Sequence, residues 1–290
     1  MLKYKDVFHI VKMAEVLNVS KSGYYTWKTR KVSTHNEEDL VIIREIKAIH
    51  EASHRVYGCR KITKALNQNF QFIVNHKRVE RMMNEYGIRS KVSRKHLITT
   101  DSKHDKAVAD DLLKRDFTAN IPNQKMVSDT TYIPTNEGWL FLAAIMDLCG
   151  DKIVGLATSD RNDQNLVIAA LKDAKMRTKD LTGCILHSDR GATYCSNDYR
   201  SKLEEYHAIC SMSRRGNCWD NAPMESFWGK LKLEWLDENC DTKAEARYKI
   251  NEYVWFFYNN WRIHESNGYI TPNQYYDDHK RLLARTSTDI

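Results

Sequence analysis

The sequence predicts an α/β domain in the middle of the chain, with an all-α region before it and a helical segment after it. Three observations predict this. Before residue 91, apolar residues recur mostly at helical spacing. Between 121 and 213, short runs rich in β-branched and aromatic residues take over, with helical stretches between the later ones. From 242 the helical period returns. A length of 290 residues accommodates two or three domains at roughly 150 residues each. No apolar run approaches the ~18 residues of a membrane span. The N-terminus, MLKYKDVFHIVKMAEVLNVSKSG, has neither an apolar signal core nor a small-residue cleavage site, so a cytosolic protein is expected.

Residues 13–27 read as helix, turn, helix. Met13, Val16 and Leu17 supply an apolar face, Asn18-Val19 break the run, and Ser20 can cap a second helix that exposes Lys21 and Ser22. Residues 38–50 form a further helix around Leu40, Ile43, Ile46 and Ile49. A basic helix starts after Gly58 with Arg60 and Lys61, and Asn75 caps another over 76–87, closed by Gly87. This second helix-turn-helix pattern offers Lys77, Arg78 and Arg81 to phosphate; a solvated basic face is the alternative. Residues 91–120 are polar and of mixed charge, a linker with a short helix near 107–115.

After Pro122 three β-rich runs follow in succession: KMVSDTTYI, GWLFLAAIMDL and KIVGLATS. A helix over 163–176, a fourth strand over 183–189, a helix from Asn197 to Tyr206 and a short fifth strand, AICSMS, complete an α/β order. It is the order of the RNase H fold. DNAPMESFWGKLKLE reads as a later helix. Thr242, with Glu245 three residues on, caps a helix whose aromatic second half reads as packing, and Thr271-Pro272 opens a last helix. The expected division is 1–35, 36–90, a linker over 91–120, a catalytic-type core over 121–238 and a C-terminal helical segment over 239–290.

Charge is uneven along this plan. Residues 1–118 carry 24 Lys and Arg against 14 Asp and Glu, and the remainder 21 against 24. A basic front half suggests an anion-binding arm, such as one that displaces counterions from DNA; a merely solubilising surface gives the same count. The seven cysteines are odd in number and lack Cys-x-x-Cys spacing, which argues against a disulfide framework or a zinc ribbon. His50 and His54 lie near Cys59, but structural zinc needs four ligands, so a plain helix face is expected there.

Three acidic residues stand out. Asp129 lies inside the first strand, Asp189 at the end of the fourth, and Glu225 on the later helix, with 35 residues between the last two. A charge within a strand is costly unless it is paired or binds a metal. Each residue alone has an ordinary reading: a strand-end turn for Asp129, an Asx turn for Asp189, an exposed helix glutamate for Glu225. Together, at these places in this element order, they describe a hard-oxygen site for Mg²⁺. Two such ions roughly 3.5–4 Å apart clamp the attacking and leaving oxygens of a phosphoryl displacement. His187 and Asn221 are expected to support the carboxylates. Arg214, Arg215 and Lys232 are placed to hold strand phosphates, against the alternative of a solvated surface. Asp147, Asp160, Asp163 and Asp220 are expected to lie outside the site.

The motifs NQKMVSDTTYIPT, LHSDRGATYCS, SMSRRGNCWDNAPMESFWGKLKLE and YNNWRIHESNGYITP resemble those of bacterial insertion-sequence transposases of the integrase-like DDE class, specifically the second-frame product (OrfB). VLNVSKSGYYTW and YGCRKITKALNQNFQFIVNHKRVERMMNEYGI match it too, so the resemblance covers essentially the whole chain. Met126 stands where the family usually has Trp, and Trp261 and Asn267 replace common basic and apolar residues, which bears on packing rather than chemistry. The resemblance implies an RNase H-like core that cuts at an element's 3′ ends and joins the 3′-OH to another phosphodiester. It implies two Mg²⁺ ions, replaceable by Mn²⁺, held by Asp129, Asp189 and Glu225. It also implies terminal-repeat and target DNA as partners, a homo-oligomer on DNA, a first-frame (OrfA) partner or fusion, and a place at the bacterial nucleoid. Two other readings remain: a DNA-binding regulator with a catalytically silent core, and a nuclease that only hydrolyses.

Overall fold

A computed structural model describes residues 1–29, 34–69, 73–91, 109–214, 218–236 and 239–286. Arg215, and residues 92–108 of the expected linker, lie outside these. Five helices come first: α1 (Ile10–Val16), α2 (Lys21–Thr29), α3 (Thr34–Ala52), α4 (Cys59–Asn69) and α5 (His76–Glu85). Capping sets their starts: Ser20 Oγ accepts from the Gly23 N–H at 2.9 Å, and Asn75 Oδ1 from the Lys77 N–H at 2.9 Å. The expected apolar face of α1 is not what packs. Val16 and Leu17 are exposed, and the buried contacts of this hairpin are Ala14 and Tyr24. The helix expected near 107–115 is absent over 109–115. That stretch instead runs beside the sheet, where the Leu112 N–H donates to Ser211 and Asp110 O accepts from Met212.

The strands are β1 (Lys125–Thr135), β2 (Gly138–Asp147), β3 (Lys152–Ser159), β4 (Ile185–Ser188) and β5 (Ile209–Met212), in the order β3-β2-β1-β4-β5. β1, β2 and β3 form antiparallel hairpins; β4 and β5 join in parallel. Helices α6 (Gln164–Thr178) and α7 (Asn197–Glu205) supply the crossovers. Period-two alternation divides the strands between two cores. Met126, Ala143, Ile145, Val154 and Leu186 pack on α6 and α7. At Gly155 a Cβ would lie 2.5 Å from the Ala170 carbonyl, so glycine lets α6 approach β3.

Val127, Leu140, Leu142, Ala144 and Met146 face the other way. They share a core with α8 (Ala222–Glu234), α9 (Lys243–Asn251), a π-helical turn over Glu252–Tyr258, and Ile46, Ile62, Leu66 and Met82 of the helical front region. The aromatic stripe after Thr242 is largely packing: Tyr253, Phe257 and Tyr258 are buried there. The chain closes with α10 (Pro272–Thr286), begun by Thr271 Oγ1 accepting from the Gln274 N–H. His50 and His54 serve packing, with His50 against the Arg89 carbonyl and the His54 ring against Trp235, centroids 3.9 Å apart and planes tilted by 39°.

Candidate active site

Strand register brings the first two carboxylates together. In the parallel β1–β4 pair, Val127 is opposite His187. Two residues further along both chains are Asp129 and Asp189, which therefore share a face and an end of the sheet. β4 stops at Ser188, and the chain turns at once. The Gly191 N–H donates to Asp189 Oδ1 at 2.9 Å, an Asx turn of the kind that is the ordinary alternative for this residue, and a Cβ on Gly191 would sit 2.9 Å from that same oxygen.

Glu225 arrives from α8, in its first turn, where a helix favours negative charge. Trp228 and Lys232, three and seven residues on, share its face. The Trp228 Nε1–H donates to Asp129 Oδ2 at 2.9 Å, and Lys232 Nζ to Thr131 Oγ1 at 2.8 Å. Asn221, just before α8, donates through Nδ2 to the Ser128 carbonyl at 3.1 Å and so fixes the helix start to β1 beside Asp129. The Trp228 bond is a contact that sequence reasoning missed. Its only signal was the spacing from Glu225.

Electrostatics tie the three acids to one another. Burial pushes the Asp129 carboxyl well above the ordinary carboxylate range, and the charge of Asp189 adds to this, with Glu225 contributing less. The Thr130 N–H and Trp228 oppose the shift. Burial also raises Glu225. Lys232 is lowered by burial, which the charge of Asp129 partly offsets. Such a group of oxygen donors has the chemistry of a hard divalent-cation site. Among the described residues, however, no three His, Cys, Asp or Glu side chains stand together as a closed metal cage. Asp129 Oδ2 is engaged by Trp228 and Asp189 Oδ1 by the Gly191 N–H.

The remaining candidates divide. His187 lies on the same face but is fully buried, and its Nδ1 pairs with Ser211 Oγ of β5 at 2.8 Å. Ser20, Lys21, Ser22, Arg60 and Lys77 are exposed. Arg78 and Arg81 are not laid out for phosphate. Arg78 reaches Asp39 at 2.6 Å and Glu38 at 3.2 Å, and Arg81 reaches Asp39 and Glu85, which clasps α5 to α3. Burial lowers the Lys61 amine to about 7, with Arg262 adding to the effect, and its Nζ lies over the Tyr57 ring at 5.2 Å; it is a seam residue. Arg214 is spent on buried Asp220, 3.1 Å away, which Arg115 also holds at 2.7 Å. Asp147 is buried under β1 and accepts from the Asn123 and Cys149 N–H groups, Asp160 pairs with Lys243 and Arg247, and Asp163 caps α6, so all three lie outside the site.

A five-stranded mixed sheet with carboxylates at adjacent strand ends and on a crossing helix defines the integrase-core class of polynucleotidyl transferases. Family comparison agrees. Residues 36–96 match an HTH-like domain, and residues 119–218 and 207–272 match integrase core domains. The chain is 40% identical over 273 residues to the insertion element IS600 uncharacterized 31 kDa protein of Shigella sonnei, covering 94% of this chain and 100% of that one. It is 36% identical over 277 residues to the transposase InsF for insertion sequence IS3A of Escherichia coli strain K12, covering 94% and 96%. Among solved structures it is similar to the HTLV-2 integrase catalytic core domain in complex with magnesium, with 17% identity, a TM-score of 0.42, and coverage of 54% of this chain and 97% of that one. The chain belongs to the IS3 family of insertion-sequence transposases. No helix among the described residues is long and apolar enough to cross a membrane.

Proposed function

We propose that the chain performs Mg²⁺-dependent cleavage at the 3′ ends of its insertion sequence and joins the resulting 3′-OH to target DNA, with Asp129, Asp189 and Glu225 as its catalytic carboxylates. The observation that carries this reading is that Asp129 and Asp189 each lie two residues beyond the paired Val127 and His187, at one end of the sheet, where Trp228 of the helix that bears Glu225 bonds Asp129. Three crowded acids, two of them with raised proton affinity, suit a divalent cation better than one another. Two Mg²⁺ ions held by these oxygens, or Mn²⁺ in their place, would activate the attacking oxygen and stabilise the leaving one.

The chain's own residues prepare that chemistry. Trp228 orients the Asp129 carboxylate, and the Gly191 N–H orients Asp189. Asn221 holds α8, and with it Glu225, against β1. Lys232 keeps a cation beside Asp129 without forming a tight ion pair, so it can meet a strand phosphate. The exposed Ser20, Lys21, Ser22, Arg60 and Lys77 are the proposed contacts to terminal-repeat and target DNA. A homo-oligomer on DNA, pairing with a first-frame product and a nucleoid location belong to the same proposal.

The test is a cleavage and joining assay on the element's end DNA, comparing the native chain with Glu225→Gln. Joining that needs Mg²⁺ and falls by on the order of 10³-fold in the variant, with DNA binding retained, supports the reading. DNA binding without cleavage by the native chain, even with the first-frame product added, would replace it with the regulator reading. Cleavage without joining would leave a nuclease.

A further inference from the structure

Beyond the acidic residues, β1 meets an open edge. Its register with β4 ends at Val127, and among the described residues only an isolated bridge from Thr135 to Cys240 lies along that side beyond it. Lys232 of α8 closes part of the gap: its Nζ bonds Thr131 and stands 5.3 Å from the centre of the Tyr132 ring. Tyr132 meets Trp139 of β2 edge to face, with ring centres 4.9 Å apart and planes at 86°. The two rings are 40% and 54% exposed. Isolated exposed apolar side chains are ordinary on protein surfaces. Here two aromatic rings brace each other and carry a lysine at one side; Tyr132 lies three residues along β1 from Asp129, so its ring belongs to the other face of the sheet, and Lys232 reaches it around the strand edge. At ~3.3 Å per residue the separation along the strand is about 10 Å, or roughly three nucleotide steps of 3.4 Å.

We propose that Tyr132 and Trp139 form a stacking platform for an unpaired DNA base next to the acidic site. The proposal rests on the strand-transfer reading for its substrate and adds what the site recognises. Every base has a π-face, so the platform would read the unpaired state of the strand rather than its sequence. A base must leave its own stack to reach the rings, and that costs least at a frayed or nicked end, where a joining reaction begins. Lys232, bonded to Thr131 on the Asp129 face and near the Tyr132 ring, would take the phosphate of the same nucleotide, so base and backbone are gripped at adjacent points. Each ring is held by the other, so little side-chain freedom is lost on binding.

The experiment uses the full chain in EDTA, so that binding is read without chemistry. The probe is end DNA with 2-aminopurine in a three-nucleotide unpaired 3′ overhang, compared with the same DNA fully paired. Stacking predicts 2-aminopurine quenching on the overhang only. It also predicts about 5- to 150-fold weaker overhang binding by Trp139→Ala and by Tyr132→Leu, near-native binding by Trp139→Phe, and unchanged affinity for paired DNA. Equal overhang affinity of the native chain and Trp139→Ala overturns the proposal. So does burial of Trp139 by a second copy of the chain, read as loss of its accessibility to acrylamide on self-association without DNA. A joining assay on the native chain with Mg²⁺ separates the two readings: quenching by a chain that cannot join DNA would sink the strand-transfer reading and leave the platform standing.

Discussion

Arg262→Met should destabilise the chain more than removal of any surface charge. Arg262 and Glu234 are both under a tenth exposed, and their contacts are bidentate: Nη2 to Oε1 at 2.6 Å and Nε to Oε2 at 2.8 Å. The Tyr253 hydroxyl donates to the same Oε2 at 2.8 Å. Removing the guanidinium leaves a buried carboxylate with one neutral donor at the side chain, which costs about 3–5 kcal/mol. At roughly 2–4 °C per kcal/mol for a chain of this size class, the melting temperature should fall by on the order of 6–20 °C. The double variant Glu234→Leu/Arg262→Met should recover most of the loss, because apolar side chains of similar volume replace a buried pair at little cost. Differential scanning fluorimetry on the two single variants and the double variant closes the cycle. A fall of less than 2 °C for Arg262→Met, or no recovery in the double variant, would refute the reasoning. Glu234 ends the helix that begins near Glu225, so the single variant should also lose joining activity well below its new melting temperature.

Three further outcomes follow from the same structure. Trp228→Phe keeps a ring but removes the donor to Asp129; joining should fall by about tenfold in kcat, a loss of roughly 1.4 kcal/mol, with end-DNA affinity unchanged in a gel-shift titration. Burial raises Asp147 to about 7, so its proton is bound more tightly in the folded chain than in the unfolded one. The resulting stability is complete below the ordinary carboxylate pKa of 3.8 and is lost as pH rises through about 7, so Asp147→Asn should flatten the dependence of melting temperature on pH between 4 and 7. Arg78→Ala should loosen α5 from α3 and lower the melting temperature while leaving the salt slope of DNA binding unchanged, whereas Lys77→Ala should reduce that slope by about one.

The strands were legible because period and residue type are local properties. KMVSDTTYI, GWLFLAAIMDL and KIVGLATS name their own conformation, and the observed β1, β2 and β3 begin and end within two residues of them. The capping oxygens of Ser20, Asn75, Thr242 and Thr271 were legible for the same reason, since a cap acts on groups two or three residues away. Met126 shows the limit. Its departure from tryptophan is visible in the sequence, but only the structure places it fully buried against the α6 and α7 side of the sheet.

The basic residues failed to be legible for a physical reason. Charge type says what a side chain can bind, and long-range packing decides what it does bind. Arg78 and Arg81 look like phosphate contacts until α3 brings Asp39 to within 3.0 Å of both. Burial raises the Asp39 carboxyl, but hydrogen bonds from Arg78 and Arg81 outweigh it and hold the group below its ordinary range. Lys61 looks equally available until the seam between α4 and the loop at Arg262 encloses it. The acidic residues differ in that nearby carboxylates raise one another's proton affinity, as Asp189 and Glu225 do for Asp129. A guanidinium can satisfy itself on any nearby carboxylate, whereas two ionised carboxylates repel each other. Trp228, Asn221 and Gly191 are the groups that fix Asp129, the start of α8 and Asp189 in place.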